Sequence, residues 1–180
     1  GIWAPAMSHA DGVFWMVYAV VRSVGRRFYD LETYLTVAAD PAGPWAEPVR
    51  LPGHGFDPAL FHHEGRHYLL NLQNDSRVGG RRFDGIVLTE LEVPVVDGVA
   101  HLDEVRPVGS THLLLQREEL VEGPMITAHD GWRSDANLVA CGLGDGAFCQ
   151  ERHALRIKRD SEPVVPVCRS AVGRCCGCDR

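Results

Sequence analysis

Three times in this chain a proline is followed seven positions later by a glycine that has an acidic residue directly before it. The segments are "WAPAMSHADG" from Trp3 to Gly12, "DPALFHHEG" from Asp57 to Gly65, and "EGPMITAHDG" from Glu122 to Gly131. Their prolines, Pro5, Pro58 and Pro124, lie 53 and 66 residues apart. Proline has no N–H to give to a sheet ladder, so it belongs at a strand entrance. Asp11-Gly12, Glu64-Gly65 and Asp130-Gly131 then supply tight hairpin turns, with glycine taking positive φ. Each segment predicts one short strand, a turn and a second strand.

The second strands are legible in two of the three units. "VFWMVYAV" (13–20) and "RHYLLNL" (66–72) alternate and are rich in aromatic and β-branched residues. Further strands are expected at 34–38 and 85–91, with "DPAGPWAEPV" (40–49) as a turn-rich connection. No long amphipathic helix is apparent. Short strands in units of about 50–65 residues point to an all-β fold, a β-propeller with four-stranded blades. A two-sheet sandwich is the competing architecture.

Composition sets limits around this pattern. The chain of 180 residues suffices for one domain with a sizeable core. A net charge of −6 argues against a nucleic-acid or anionic-membrane surface. The longest apolar run, Val13 to Val21, fits one buried strand and is too short to span a bilayer. No signal peptide is visible, and residue 1 already sits in a structured-looking motif. The localisation, cytoplasmic or secreted, therefore stays unknown.

The character of the sequence changes near Trp132. Residues 1–131 hold 10 basic and 18 acidic side chains and 12 of the 14 aromatics. Residues 132–180 hold 8 basic and 6 acidic side chains and all six cysteines. The expected organisation is a partial propeller over 1–131 and an unassigned segment over 132–180. A shifted reading frame after about Trp132, or disorder, accounts for the second part. The aromatic strand that should follow Gly131-Trp132 is not legible in Arg133-Ser134-Asp135-Ala136.

In a propeller the innermost strand of each blade begins near the central axis, so the three repeat heads converge on one mouth. Trp3-Ala4-Pro5, Asp57-Pro58 and Glu122-Gly123-Pro124 would bring one aromatic face and two carboxyl groups there. Glycoside hydrolysis needs paired carboxyls, one protonated to serve the leaving oxygen and one ionised. An aromatic face suits the apolar side of a sugar ring.

At this point a family resemblance becomes specific. "GIWAPAMSHADGVFW", "GFDPALFHHEGRHYLL", "RRFDGIVLTEL" and "EGPMITAHDGW", in that order, resemble the family 43 glycoside hydrolases, and most closely their β-xylosidase branch. The resemblance implies a five-bladed propeller, present here in part. It also implies inverting hydrolysis of terminal β-1,4-xylosyl units from xylo-oligosaccharides, as in xylan degradation, and no cofactor. α-L-Arabinofuranosidase activity and a non-catalytic carbohydrate-binding propeller are the alternatives. On the family pattern Glu122 falls at the general acid and Asp57 at the carboxylate that tunes and orients it. Trp3 and Ala4 fall on the loop lining the sugar subsite. The general base belongs to a first blade that would precede Gly1, and the family's later blades have no counterpart after Trp132. On that reading the chain is inactive or nearly so by itself.

Other side chains invite chemistry and are read plainly. His62 and His63 are adjacent in a strand and point to opposite faces, so a shared metal ion is not expected. They are read as a solvated strand end, and His9, His54 and His67 are assigned nothing. The cysteines, "CCGCDR" among them, lack the paired spacing of a zinc site, and no metal is expected.

Overall fold

A computed structural model describes residues 1–24, 29–52, 55–75, 77–81, 83–96, 99–115, 121–128, 135–144, 147–156 and 165–166; from 121 onward, side chains are described only at 123–126. The first unit is a four-stranded antiparallel meander of β1 (Ile2–Ala10), β2 (Val13–Ser23), β3 (Asp30–Ala38) and β4 (Val49–Leu51). The second contains β5 (Gly55–His63), β6 (Arg66–Gln73) and β7 (Gly85–Glu92). A hairpin of β8 (Val95–Val96) and β9 (Val99–Ala100) and a 3-10 turn at Leu102–Glu104 then lead to its outer strand, β10 (Arg106–Leu115). The third unit is β11 (Val121–Ala128), β12 (Asp135–Gly144), β13 (Ala147–Arg156) and β14 (Val165–Pro166). These are three propeller blades, each beginning with the strand that carries a repeat proline. Among the described residues no helix is long and apolar enough to cross a membrane.

The two hairpin turns within the described residues behave as their sequences require. Asp11 and Gly12 have φ of 54° and 74°, and Glu64 and Gly65 have 49° and 74°. Positive φ at both central residues matches the right-handed twist of the flanking strands. The third turn, Asp130-Gly131, lies outside the described residues, as do Trp132, His54 and the cysteines from 168 to 178.

Burial explains which strands were easy to read. In β2, Val13, Trp15, Val17, Ala19 and Val21 are buried and face the second blade, while the residues between them are half-buried. Strand β6 differs from its expected alternation: six consecutive residues, His67 to Leu72, are buried. The cause is that the second blade is covered on both faces. Leu69 and Leu91 pack with Trp15, Val17, Leu35 and Leu51 of the first blade. Tyr68, Leu70, Leu72, Ile86 and Leu88 pack with Phe56, Phe61, Leu114 and Ile126, the last from β11. A strand covered on both sides reads as a continuous apolar run.

Two results differ from the sequence reading. Strand β10 was not legible because Pro107 and Gly109 interrupt it and its first five residues are exposed. Those are features of an outer edge strand, where an unpaired N–H position tolerates proline. The strand that seemed missing after Trp132 is present as β12, paired with β11 from Val121↔Gly142 to Ala128↔Ala136. Ladder pairing needs backbone groups, and the aromatic residues sought there are not required for it.

Close backbone approach fixes the start of β5. A Cβ on Gly55 would overlap the carbonyl oxygen of Leu72 on the paired strand. Gly55→Ala is expected to push the β5–β6 ladder apart and to cost on the order of 3 kcal/mol, seen as a lower urea midpoint with an unchanged slope.

Candidate functional site

The three repeat heads share one backbone device. The residue before each proline has positive φ: Ala4 at 43°, Asp57 at 49° and Gly123 at 59°. The β1–β2, β5–β6 and β11–β12 registers shift at the same place, between Trp3 and Ala6, Phe56 and Ala59, and Glu122 and Met125. Each inner strand therefore enters its blade through a bulge. Positive φ is uncommon for a residue with a Cβ, and a residue before proline is ordinarily extended. Outliers of this kind collect where a side chain must be aimed.

The device places the two expected carboxyls in different slots. Asp57 occupies the positive-φ slot of the second head. Glu122 occupies the preceding slot of the third, which Phe56 and Trp3 fill in the other two. The two heads meet directly: the Gly123 N–H donates to Asp57 Oδ2 at 3.2 Å, across 66 residues of sequence. Asp57 thus reaches another blade. Burial pushes the half-buried Asp57 carboxyl above its ordinary range, and the Gly123 N–H partly offsets that by favouring the ionised form. Glu122 lies in β11 opposite Cys141, and its side chain is outside the described residues.

Trp3 and Ala4 belong to the first head. The half-buried Trp3 ring meets Tyr29 edge-on, with centroids 5.4 Å apart. Tyr29 lies 6.2 Å from Phe56, the neighbour of Asp57, and Phe56 lies 5.7 Å from Phe83. An aromatic chain therefore links the first head to the second. Ala4 is exposed beside it. Tyr29 and Phe83 were not anticipated, because they lie outside the repeat heads and only the blade packing brings them there.

The histidines correct the sequence reading. His62 and His63 do face apart, and His63 stacks on Phe61 with centroids 5.9 Å apart. His62 is not a solvated strand end: the first blade covers it. Its Nε2 lies 2.8 Å from Ser8 Oγ, and its Nδ1 lies 2.8 Å from Nδ1 of His67. His67, assigned nothing from sequence, is buried, with its Nε2 3.7 Å from Asp11 Oδ2. A contact between Ser8 and His62, 54 positions apart, leaves no local signal. Among the described residues no cluster of three or more His, Cys, Asp or Glu is arranged to hold a metal ion.

The blade heads thus join a half-buried carboxylate and a backbone donor, and an aromatic chain links the first head to the second. Comparison with known proteins makes this specific: residues 1–168 match the model for Glycosyl hydrolases family 43, and the chain belongs to that family. The match runs past Trp132, where the sequence motifs stop. "Beta-xylosidase" of Bacillus subtilis (strain 168) is 42% identical over 91 residues, covering 50% of this chain and 17% of that protein. "Xylosidase/arabinosidase 43B" of Humicola insolens is 36% identical over 133 residues, covering 73% of this chain and 23% of that protein. The crystal structure of xylan beta-1,4-xylosidase from Bacillus halodurans C-125 superposes with a TM-score of 0.70 at 30% identity, over 92% of this chain and 30% of that one. The fold is accordingly a partial five-bladed propeller, and the chain spans less than a third of the length of each of these relatives.

The raised Asp57 carboxyl has a measurable consequence. The native state holds its proton at pH values where the unfolded chain has released it. Stability from this group is therefore greatest in acid and falls as pH rises from the ordinary aspartate value through the native one. Asp57→Asn keeps an acceptor for Gly123 and removes the buried charge. It should raise stability at neutral pH by roughly 0.5–1 kcal/mol and abolish this acid-side component, as followed by urea denaturation across pH.

Proposed function

We propose that this chain carries the acid side of an inverting xylosidase site, acting on terminal β-1,4-xylosyl units of xylo-oligosaccharides. Glu122 is the proton donor, Asp57 orients it and tunes its pKa, and Trp3 and Ala4 line the sugar subsite. The observation that carries this reading is the 3.2 Å bond from Gly123 N–H to Asp57, because it anchors the residue next to Glu122 to the tuning carboxylate. An inverting reaction also needs a base that activates water on the opposite face of the sugar, with carboxyls about 6.5–9.5 Å apart. The resemblance supplies the acid and its tuner in these residues and leaves the base unassigned. The functional expectation for this chain alone is therefore sugar binding with little or no turnover.

Titration of the chain with xylobiose, followed by NMR, should give saturable shifts that Trp3→Ala weakens about tenfold or more. Hydrolysis of an aryl β-xyloside should be absent or close to background. Turnover near family levels would show that the chain is catalytically complete. In that case Glu122→Gln should lower the rate by about 10²–10⁴-fold. The relative named xylosidase/arabinosidase favours a second reading, in which an aryl α-L-arabinofuranoside is the better ligand.

A further inference from the structure

Ser8, Asp11 and Trp15 of the first blade and His62 and His67 of the second form one connected group between the blades. Three contacts run through it in series: Ser8 Oγ to His62 Nε2 at 2.8 Å, His62 Nδ1 to His67 Nδ1 at 2.8 Å, and His67 Nε2 to Asp11 Oδ2 at 3.7 Å. The Trp15 indole is fully buried against both rings, with centroids 5.3 Å and 4.6 Å away. Its own N–H is already committed to the Ala10 carbonyl at 3.1 Å.

The proton positions follow from counting. Two imidazole nitrogens 2.8 Å apart hold one proton between them, because two bare lone pairs repel and two N–H groups collide. If His67 Nδ1 held that proton, neutral His67 would present a bare Nε2 to the Asp11 carboxylate, acceptor against acceptor. The carboxylate therefore sets the proton on His67 Nε2. His67 Nδ1 is then the acceptor, His62 Nδ1–H donates to it, and the bare His62 Nε2 accepts the Ser8 hydroxyl proton. Both hydrogen bonds in the chain point the same way, from Ser8 to His67, and the His67 Nε2–H faces the Asp11 carboxylate at 3.7 Å.

We propose that this one-way chain of neutral imidazoles is a pH-gated clasp between the first two blades, closed near neutrality and released by acid. A first added proton can enter only at His62 Nε2, with the Ser8 hydroxyl turning to accept; it leaves a cation buried beside Trp15. A second, on His67 Nδ1, sets N–H against N–H and breaks the bond between the rings. From the first blade the charge facing the rings is Asp11; on the far face of β6, Arg66 and Glu90 pair with each other at 3.8 Å. Burial lowers both histidines, His62 to about 4, with Asp11 opposing the shift. The native state thus binds fewer protons than the unfolded chain below the ordinary histidine value, and stability falls as pH drops through that interval toward about 4. The clasp lies at the turn end of β1 and β5, the strands that carry Trp3 and Asp57 at their other ends, and its existence does not depend on the sugar reading.

Long-range ¹⁵N–¹H NMR of the 180-residue chain near pH 7 tests the direction of the bonds. His62 should be protonated at Nδ1 and His67 at Nε2; the opposite pair of tautomers, or an imidazolium on either ring, would overturn the proposal. Urea denaturation between about pH 7 and pH 5 tests the gate. The folding constant of the wild type should fall about tenfold more than that of His62→Gln. Equal pH dependence in the two proteins would sink it. If the variant does not fold, the wild-type tautomers and the pH at which they are lost still decide the matter.

Discussion

Everything at the mouth depends on the proline that opens each innermost strand. Having no N–H, it cannot continue the ladder, and the chain answers with a bulge and a residue at positive φ just before it. The same device appears at Ala4, Asp57 and Gly123, so it is a property of the repeat and not of any one side chain. What each blade does with it differs. Gly123 takes the conformation without strain and leaves its N–H open to a partner. Asp57 takes it at some cost, offset in part because aspartate tolerates the left-handed region better than most residues. The carboxylate of one head and the backbone donor of another then meet at 3.2 Å.

The packing between blades gives this arrangement its rigidity. The second blade lies between two apolar clusters, one facing Trp15 and Leu35 and one facing Ile126. Side chains buried to this degree leave little room for the blade to tilt, because a displaced face forfeits its dispersion contacts at once. The heads on β1, β5 and β11 are held in place by strands whose burial has nothing to do with chemistry. The aromatic chain from Trp3 through Tyr29 and Phe56 to Phe83 joins the two systems, with one end at the mouth and Phe56 in the core.

Much of this was legible because it is local. Proline at a strand entrance and Asp-Gly or Glu-Gly at a hairpin act within a few residues, so three repeats could be aligned without knowing what they touch. The alternation of β2 was legible because the structure covers it closely on one face only. The reading failed where the cause was distant. Six buried residues in β6 need both neighbouring blades to explain them. Edge strand β10 carries Pro107 and Gly109, which in isolation speak against a strand. Strand β12 carries no aromatic residue to mark it in the sequence, although its ladder with β11 asks only for backbone groups. His62 looked solvated because the residues that cover it come from a different repeat.

The two polar groups between the blades illustrate opposite answers to one problem. Burial disfavours charge on both Asp57 and the histidines, raising the carboxyl and lowering the imidazoles. The histidine pair lies in a well-packed site, where remaining neutral leaves three of the four ring nitrogens hydrogen-bonded and the fourth facing the Asp11 carboxylate at 3.7 Å. Among the described residues Asp57 accepts one hydrogen bond, at 3.2 Å from Gly123 N–H, and its side chain is half-buried. A carboxylate held this loosely contributes little to the stability of the fold. The positive φ at Asp57 follows from the bulge at the entrance of β5, and its raised carboxyl from its partial burial there.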